Sequence, residues 1–484
     1  MKNLKIVILG GGTAGWLSAL FVRKCLPESN VTLIQNSSIG IIGVGEATTP
    51  NIIMFLKWLK IDPLEVIKET GGTIKNGISF ENWNGDGEKY FHGFSEKIAD
   101  FSFGGLWNTD CNDFFLKELV NKNKNFKDYL YCTKLSYENK VDLSNINYAL
   151  HFDTNLFSNF LQKTGKNRNI QIIEGDYSHV TNDKNNNIES IHLKDGRVFD
   201  TDFVFDCSGF SRLLINKHYK EKWISFGESL PIKKAIPFWI DADEEIPPYT
   251  SAIAMKYGWM WKIPLQHRYG CGYVFDTDFI DENVAKREVE ELIGKKIDVR
   301  KIINFDAGRH ENYWVNNCLS VGLASSFIEP LESTSIFLSI EVLNTFKHFI
   351  NEIGVYRKSS IKLFNKMVTD SMDNTLNFVY LHYLSKRNDT EFWKTFKQKY
   401  KTPEKFKETL ELLRENNLRN FNLESHPFNS LSFIQVCEGL KISDKKIIVD
   451  NNNNIFPTIE MYKDVIDKLC VQQFNQRTFL NMLK

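Results

Sequence analysis

No run in this chain approaches the roughly 18 consecutive apolar residues that a membrane-spanning helix needs, and no CxxC pair or His/Cys cluster at zinc spacing occurs. Its eight cysteines (Cys25, Cys111, Cys132, Cys207, Cys271, Cys318, Cys437, Cys470) are scattered, so reduced thiols and a cytoplasmic setting are expected rather than a disulfide framework. An excess of one charge is also lacking. Lysine plus arginine and aspartate plus glutamate both number 60, and no basic run is interleaved with aromatics, which argues against a nucleic-acid or membrane partner. Leu4 to Val22 is apolar on average, but three consecutive glycines break it, so an export signal is not expected.

What is present is enough apolar material for a large core. With 484 residues and 42% hydrophobic content, two or three packed lobes are expected. The opening residues are the most regular. Lys5–Leu9 reads as a buried strand, Gly10-Gly11-Gly12-Thr13-Ala14-Gly15 as a GxGxxG turn, Trp16–Leu26 as a helix stopped by Pro27, and Val31–Ile34 as a second strand. This is a dinucleotide-binding βαβ unit: Gly10 and Gly12 let the backbone approach a pyrophosphate at the helix N-terminus, and Gly15 lets the helix lie on the sheet. Gln35 stands where such units usually carry the acid that holds the ribose hydroxyls. A neutral amide bonds a hydroxyl less strongly than a charged group does, so weak, exchangeable binding is expected.

Two later segments favour FAD over NAD. Val198–Gly209 is an apolar strand entering a small-residue turn, and Asn317–Phe327 is another strand ending at Gly322. Both resemble further nucleotide contacts of flavoprotein monooxygenases, and they imply a discontinuous lobe. Beyond Ile340 the apolar spacing predicts helices over 340–350, 361–384 and 403–418, while the asparagine-rich stretches 182–187 and 451–454 read as surface turns.

Gly258-Trp259-Met260-Trp261-Lys262-Ile263-Pro264 taken alone is a buried aromatic pair on a strand, and an isolated lysine such as Lys75 is usually a solvated charge. The flanks Gly71–Ile74 and Ile78–Trp83 nevertheless place Lys75 on a partly buried strand. Together with GGGTAGW (10–16), GVGEAT (43–48), His92-Gly-Phe94, Phe327–Thr334 (FIEPLEST) and Leu384–Trp393, these residues resemble the flavin-dependent halogenases, best known from tryptophan halogenases; the likeness runs from Ile6 to about Asn429. The resemblance implies an α/β, two-lobed flavoprotein monooxygenase-like fold. A Rossmann-type FAD-binding lobe would span 1–345, with inserted substrate-facing sheet segments at about 80–150 and 220–300. A mostly helical lobe, 346–484, would close the substrate pocket.

It also implies a chemistry and a site. Reduced FAD, supplied by a separate flavin reductase, would use oxygen to convert halide into hypohalous acid, which halogenates a small aromatic substrate in a second pocket. FAD would contact Gly10, Gly12, Thr13, Ala14, Gly15, Gln35, Glu46, Ala47, Val180, Leu323 and Ile336. Trp259, Trp261, Ile263 and Pro264 would wall the flavin from the substrate. Lys75 would carry the oxidised halogen, as a haloamine or through a hydrogen bond to hypohalous acid, and Glu332 would stabilise the arenium cation and assist proton loss. Glu329 would cap a helix or orient Ser333. Halide would bind the backbone at Thr334 and Ser335, and His92, Phe94 and Phe428 would line the substrate pocket.

Two departures bear on selectivity. Ser335 replaces the family's glycine, which allows close approach and positive φ, so bromide or iodide becomes as plausible as chloride. No tryptophan follows Trp393, so half of the indole clamp of tryptophan halogenases is missing and a phenol or indole acceptor is expected. A homo-oligomer is compatible with the sequence. A flavin monooxygenase without halide chemistry, or a homologue that has lost catalysis, are the alternative readings.

Overall fold

The computed structural model describes residues 3–40, 46–94, 119–120, 123–415, 423, 427–442 and 456–483. Gly43, Val44, Gly45, Cys111, the end of the helix expected to 418 and the asparagine run 451–454 lie outside the described residues.

Lys5–Leu9 forms β1, and Gly10 ends it with φ +121°, a conformation open to glycine. A Cβ at Gly10 would stand 2.2 Å from the Cys207 carbonyl oxygen, so the turn can lie against the second predicted nucleotide segment only with glycine here. α1 (Thr13–Cys25) follows and β2 (Asn30–Gln35) returns parallel to β1, Ile6 opposite Val31. Trp16, Leu17, Leu20 and Phe21 of α1 are buried with Ile6 and Ile8, each large apolar side chain contributing about 1.5–3 kcal/mol.

The first sheet continues outward from this pair. On one side of β1 lie β12 (Phe203–Asp206), β21 (Cys318–Ser320) and an antiparallel edge, β20 (Trp314–Val315); on the far side of β2 lies β8 (Gln171–Glu174). The parallel strands thus come from four distant parts of the chain. Two small three-stranded sheets accompany it: β9 (Tyr177–Asn182), β10 (Ile188–Leu193) and β11 (Val198–Asp200), and β13 (Trp223–Ser225), β19 (Gly308–His310) and β22 (Ser326–Phe327).

A second large sheet has the order β18 (Ile303–Asn304), β14 (Lys234–Asp241), β17 (Arg268–Phe275), β16 (Gly258–Pro264), β15 (Tyr249–Ala254), β5 (Gly77–Glu81), β6 (Lys89–Gly93); only β15 and β5 pair parallel. A short sheet of β3 (Glu46–Ala47), β7 (Ala149–Phe152) and β4 (Thr73–Lys75) carries Lys75 at its end. The C-terminal part is helical, as the spacing predicts, through Thr334–Lys347, Lys358–His382, Glu391–Lys399, Lys407–Arg414, Ser430–Gly439, Phe456–Val471 and Gln476–Leu483. Among the described residues no helix is long and apolar enough to cross a membrane.

Candidate active site

Lys75 is fully buried rather than partly so. Its strand β4 pairs with β7 along one edge, and along the other the Ile74 amide donates to Gln476 Oε1 at 2.7 Å, while Gln476 Nε2 donates to the Pro247 carbonyl at 3.0 Å. The last helix, in a region without a readable motif, thus braces the residue next to Lys75. Lys75 Nζ donates to the Thr48 carbonyl at 2.8 Å and to Ser333 Oγ at 2.6 Å, and stands 5.4 Å from the Phe94 ring centre. Burial away from water lowers its pKa from 10.5 to about 7, against the opposing pull of Glu332.

Next to it, Thr73 Oγ1 donates to the Pro264 carbonyl at 2.7 Å and so is left to accept from His151 Nδ1 at 2.8 Å. Burial and the nearby Lys75 hold His151 well below its ordinary pKa, which keeps it neutral. These bonds tie the lysine strand to the end of the Trp-rich strand.

The two glutamates of FIEPLEST are both buried, yet their surroundings push them in opposite directions. For Glu332, burial raises the pKa, but His92 and His382 outweigh it and bring the carboxyl down to about 2. His92 Nδ1 lies 2.9 Å from Oε2; His382 Nε2 lies 2.9 Å from Oε1, though off the hydrogen-bonding direction. For Glu329 burial wins, and its pKa rises to about 7. Its Oε1 accepts from Trp259 Nε1 at 2.9 Å and from the Tyr383 hydroxyl. Glu329 does stand at the N-cap position of the single 3₁₀ turn Pro330–Glu332, but its side chain makes no capping hydrogen bond and is taken up by Trp259 and Tyr383 instead; Ser333 is the N-cap of the helix Thr334–Lys347. Of the two, Glu332 is the permanently ionised one, suited to facing a developing cation.

Along β16 the side chains alternate as a strand requires. Trp259, Trp261 and Ile263 enter the main core, whereas Met260 enters the other core beside Tyr273 and Phe275. The two indoles are 6.2 Å apart and tilted by 59°. Gly272 faces Trp261 across β17, and a Cβ there would come within 2.1 Å of the Trp261 ring, so the indole occupies the space a side chain would fill.

The three expected nucleotide segments meet. Gly10 abuts Cys207, and a Cβ at Gly322 would fall 2.6 Å from that of Ala14. Gly12 is the N-cap of α1, the first turn holds no acidic residue, and nothing lies within 4 Å of where a Cβ at Gly12 or Gly209 would be. Thr13 Oγ1 is buried without a partner. An open cradle, an orphaned hydroxyl and the positive end of a helix fit the pyrophosphate of FAD. Gln35 Nε2 donates to Glu174 Oε1 at 2.5 Å, so the acid missing from the end of β2 stands on the neighbouring strand β8. Val180 lies on the separate sheet, opposite Ile191 on β10. Ala47 and Leu323 are half-buried, Ile336 is buried, and the Glu46 side chain is outside the described residues.

At the helix Thr334–Lys347, Thr334 Oγ1 is buried and unpartnered, and the first amides are free of intrahelical partners. The positive φ of this turn, +59°, belongs to Ser333, whereas Ser335 is helical, so serine at 335 carries no backbone strain. His92 and Phe428 have ring centres 6.4 Å apart, but Phe378 intervenes in the packing, 5.1 Å from His92 and stacked 4.2 Å from Phe428. Sequence reasoning missed Thr48, Ser333, Phe378, His382, Glu174 and Gln476 as site residues. For His382 a signal existed: it lies two residues before the recognised Leu384–Trp393 segment.

Comparison with known proteins defines the class. A flavin-dependent halogenase from Xanthomonas campestris superposes with a TM-score of 0.90 at 28% identity, covering 99% of this chain and 98% of that one. A tryptophan 6-halogenase from Streptomyces toxytricini gives 0.87 at 27%, covering 99% of each. Tryptophan 7-halogenase RebH of Lentzea aerocolonigenes is 35% identical over 433 residues, 81% of this chain and 79% of its own length. The fold is that of a flavin-dependent halogenase, an oxidoreductase. The profile described as tryptophan halogenase matches residues 5–450, and the chain belongs to that family.

Proposed function

We propose that this flavin-dependent halogenase uses FADH2, oxygen and halide to halogenate an electron-rich aromatic of indole or phenol type through Lys75, with bromide or iodide preferred to chloride. The observation that carries the reading is the buried Lys75 amine, held by Thr48 and Ser333 one residue from the ionised Glu332. FAD would be held by Gly10, Gly12, Thr13, Ala14 and Gly15, with Gln35 and Glu174 toward the ribose, and by Glu46, Ala47, Val180, Leu323 and Ile336. When bound and reduced it supplies, with oxygen, the oxidising power that turns halide into hypohalous acid.

Each residue then has a task. The backbone N–H groups of Thr334 and Ser335 hold the halide at a helix N-terminus. Trp259 and Trp261, backed by Ile263 and Pro264, keep the aromatic substrate from the flavin. With a pKa of about 7, Lys75 presents both its protonated and neutral forms near neutrality. The ammonium can donate a hydrogen bond to hypohalous acid; the amine can take the halogen to form N–X and release water. Attack by the aromatic ring breaks the bond to the halogen and leaves an arenium cation, which the Glu332 carboxylate stabilises. The ring proton, its loss assisted by Glu332, passes to the nitrogen left on Lys75 or to the hydroxide left by hypohalous acid, giving back the free amine or water and returning the electron pair to the ring.

His92, Phe94 and Phe428 would line the acceptor pocket, and the preference for bromide or iodide rests on the departure from glycine at Ser335. The residues 1–345 and 346–484 form the two lobes, a separate reductase supplies the flavin, the setting is cytoplasmic, and a homo-oligomer is compatible. The test is an incubation with flavin reductase, NADH, FAD, equimolar chloride, bromide and iodide, and a panel of phenols, indoles and free L-tryptophan, read by mass spectrometry. Brominated or iodinated phenols or indoles are expected. Hydroxylated product without halogen would support a monooxygenase, and efficient regioselective chlorination of L-tryptophan would refute both selectivity claims.

A further inference from the structure

Glu329 is a buried carboxyl that the reaction as drawn leaves without a task. One oxygen, Oε1, accepts from two donors, Trp259 Nε1 at 2.9 Å and the Tyr383 hydroxyl, while Oε2 is buried with no hydrogen-bond partner. The donors come from different parts of the fold. Trp259 lies on β16, and Tyr383 is the C-cap of the helix Lys358–His382, next to the His382 that stands against Glu332.

Tyr383 is itself immobilised. Its ring stacks on Phe396 at 5.0 Å and on Trp393 at 6.1 Å. Trp393 Nε1 donates to the carbonyl of Met255, in the connection leading to β16, at 2.9 Å, and Arg387 Nη1 to the carbonyl of Ala254, the last residue of β15 and the partner of Trp259, at 3.0 Å. The segment Leu384–Trp393 therefore anchors the start of the Trp-rich strand, and Glu329 anchors its first indole. An indole has one donor, and its χ2 torsion has broad, roughly two-fold preferences. A buried acceptor at 2.9 Å selects one orientation, because any other leaves that N–H unpaired in the core.

We propose that Glu329 is a positioning residue for halogenation: by gripping Trp259 and Tyr383 with one oxygen it fixes the wall between flavin and acceptor, so that oxidised halogen passes to Lys75 rather than being lost. The proposal rests on the function proposed above. Burial raises the Glu329 carboxyl to about 7, so near neutrality it carries only part of a full charge, which suits an acceptor shared by two neutral donors in the wall.

Two measurements test it. In indole-15N-labelled protein, Trp259→Phe identifies the Trp259 N–H resonance. Glu329→Leu should shift that resonance upfield, and Glu329→Gln, whose amide oxygen can still accept, should restore most of the shift. In the reductase-coupled assay, Glu329→Leu should lower halogenated product per oxygen consumed about tenfold or more, a misplacement effect, while FAD affinity and flavin oxidation stay within about twofold. Glu329→Gln should recover to within about threefold of wild type, and Tyr383→Phe should fall between.

An unmoved resonance in Glu329→Leu overturns the grip. A moved resonance with unchanged product per oxygen overturns the role in halogenation. Should Glu329→Leu fail to fold, Glu329→Met, which likewise offers no oxygen to the two donors, carries both readings. A wild type that makes no halogenated product refutes the proposed function and the role with it, while the resonance still reports the grip.

Discussion

Replacing Lys75 by methionine should stabilise the protein at neutral pH while abolishing halogenation, and the size of the gain should depend on pH in a calculable way. The folded chain holds this amine at about 7 against an ordinary 10.5, a displacement worth about 5 kcal/mol. The sign follows from proton binding. Between pH 7 and 10.5 the unfolded chain holds a proton on Lys75 that the folded chain has released, so this residue's contribution to stability rises with pH across that window. Below pH 7 both states are protonated and the full cost of a buried ammonium is present.

Methionine removes that cost and also the bonds to Thr48 and Ser333, whose acceptors are left behind at about 1–3 kcal/mol each. Near pH 6.5 Lys75→Met should therefore be the more stable protein by a few kcal/mol at most; by pH 10 the order should reverse. The assay is denaturant unfolding of both proteins from pH 6.5 to 10, with the difference cancelling groups common to both. Parallel stability profiles would refute the argument and return Lys75 to an ordinary protonated side chain. Flavin binding and oxidation of reduced flavin should be intact in the variant, and their loss would refute the catalytic assignment.

Glu332→Gln should slow halogenation by about 10²–10³ with peroxide release unchanged, the usual effect of removing one electrostatic stabiliser; a larger effect from Glu329→Gln would put the catalytic carboxyl three residues earlier. Because Glu332 lies at about 2 when folded against an ordinary 4.5, its contribution of about 3 kcal/mol is complete above pH 4.5 and is lost as pH falls toward 2, so acid titration should destabilise wild type more than Glu332→Gln. Gly272→Ala should displace the Trp261 indole, whose atoms lie 2.1 Å from the new Cβ, and a crystal structure or indole resonance with Trp261 unmoved would contradict this. Gln476→Ala strips a buried amide of its acceptor and should cost about 1–3 kcal/mol in unfolding, with halogenation reduced more than flavin oxidation; equal losses in both would show that the last helix does not act through the lysine strand.

The amino-acid sequence by itself determined the local elements whose signals are short in range. Glycines between an apolar strand and a helix specify the βαβ turn, because only that backbone admits Cys207 and the helix so closely. Alternation along Gly258–Pro264 specifies a strand with both indoles on one side, and apolar spacing past 340 specifies helices. Tertiary structure decided what these elements touch. Gln476 comes to Ile74 across 402 positions, His382 to Glu332 across 50, and Glu174 to Gln35 across 139. No periodicity encodes such pairings, since they depend on how the sheets and helices dock. The same docking separates two glutamates that look alike in FIEPLEST: two histidines keep Glu332 charged, while apolar burial beside Trp259 and Tyr383 brings Glu329 to the edge of protonation.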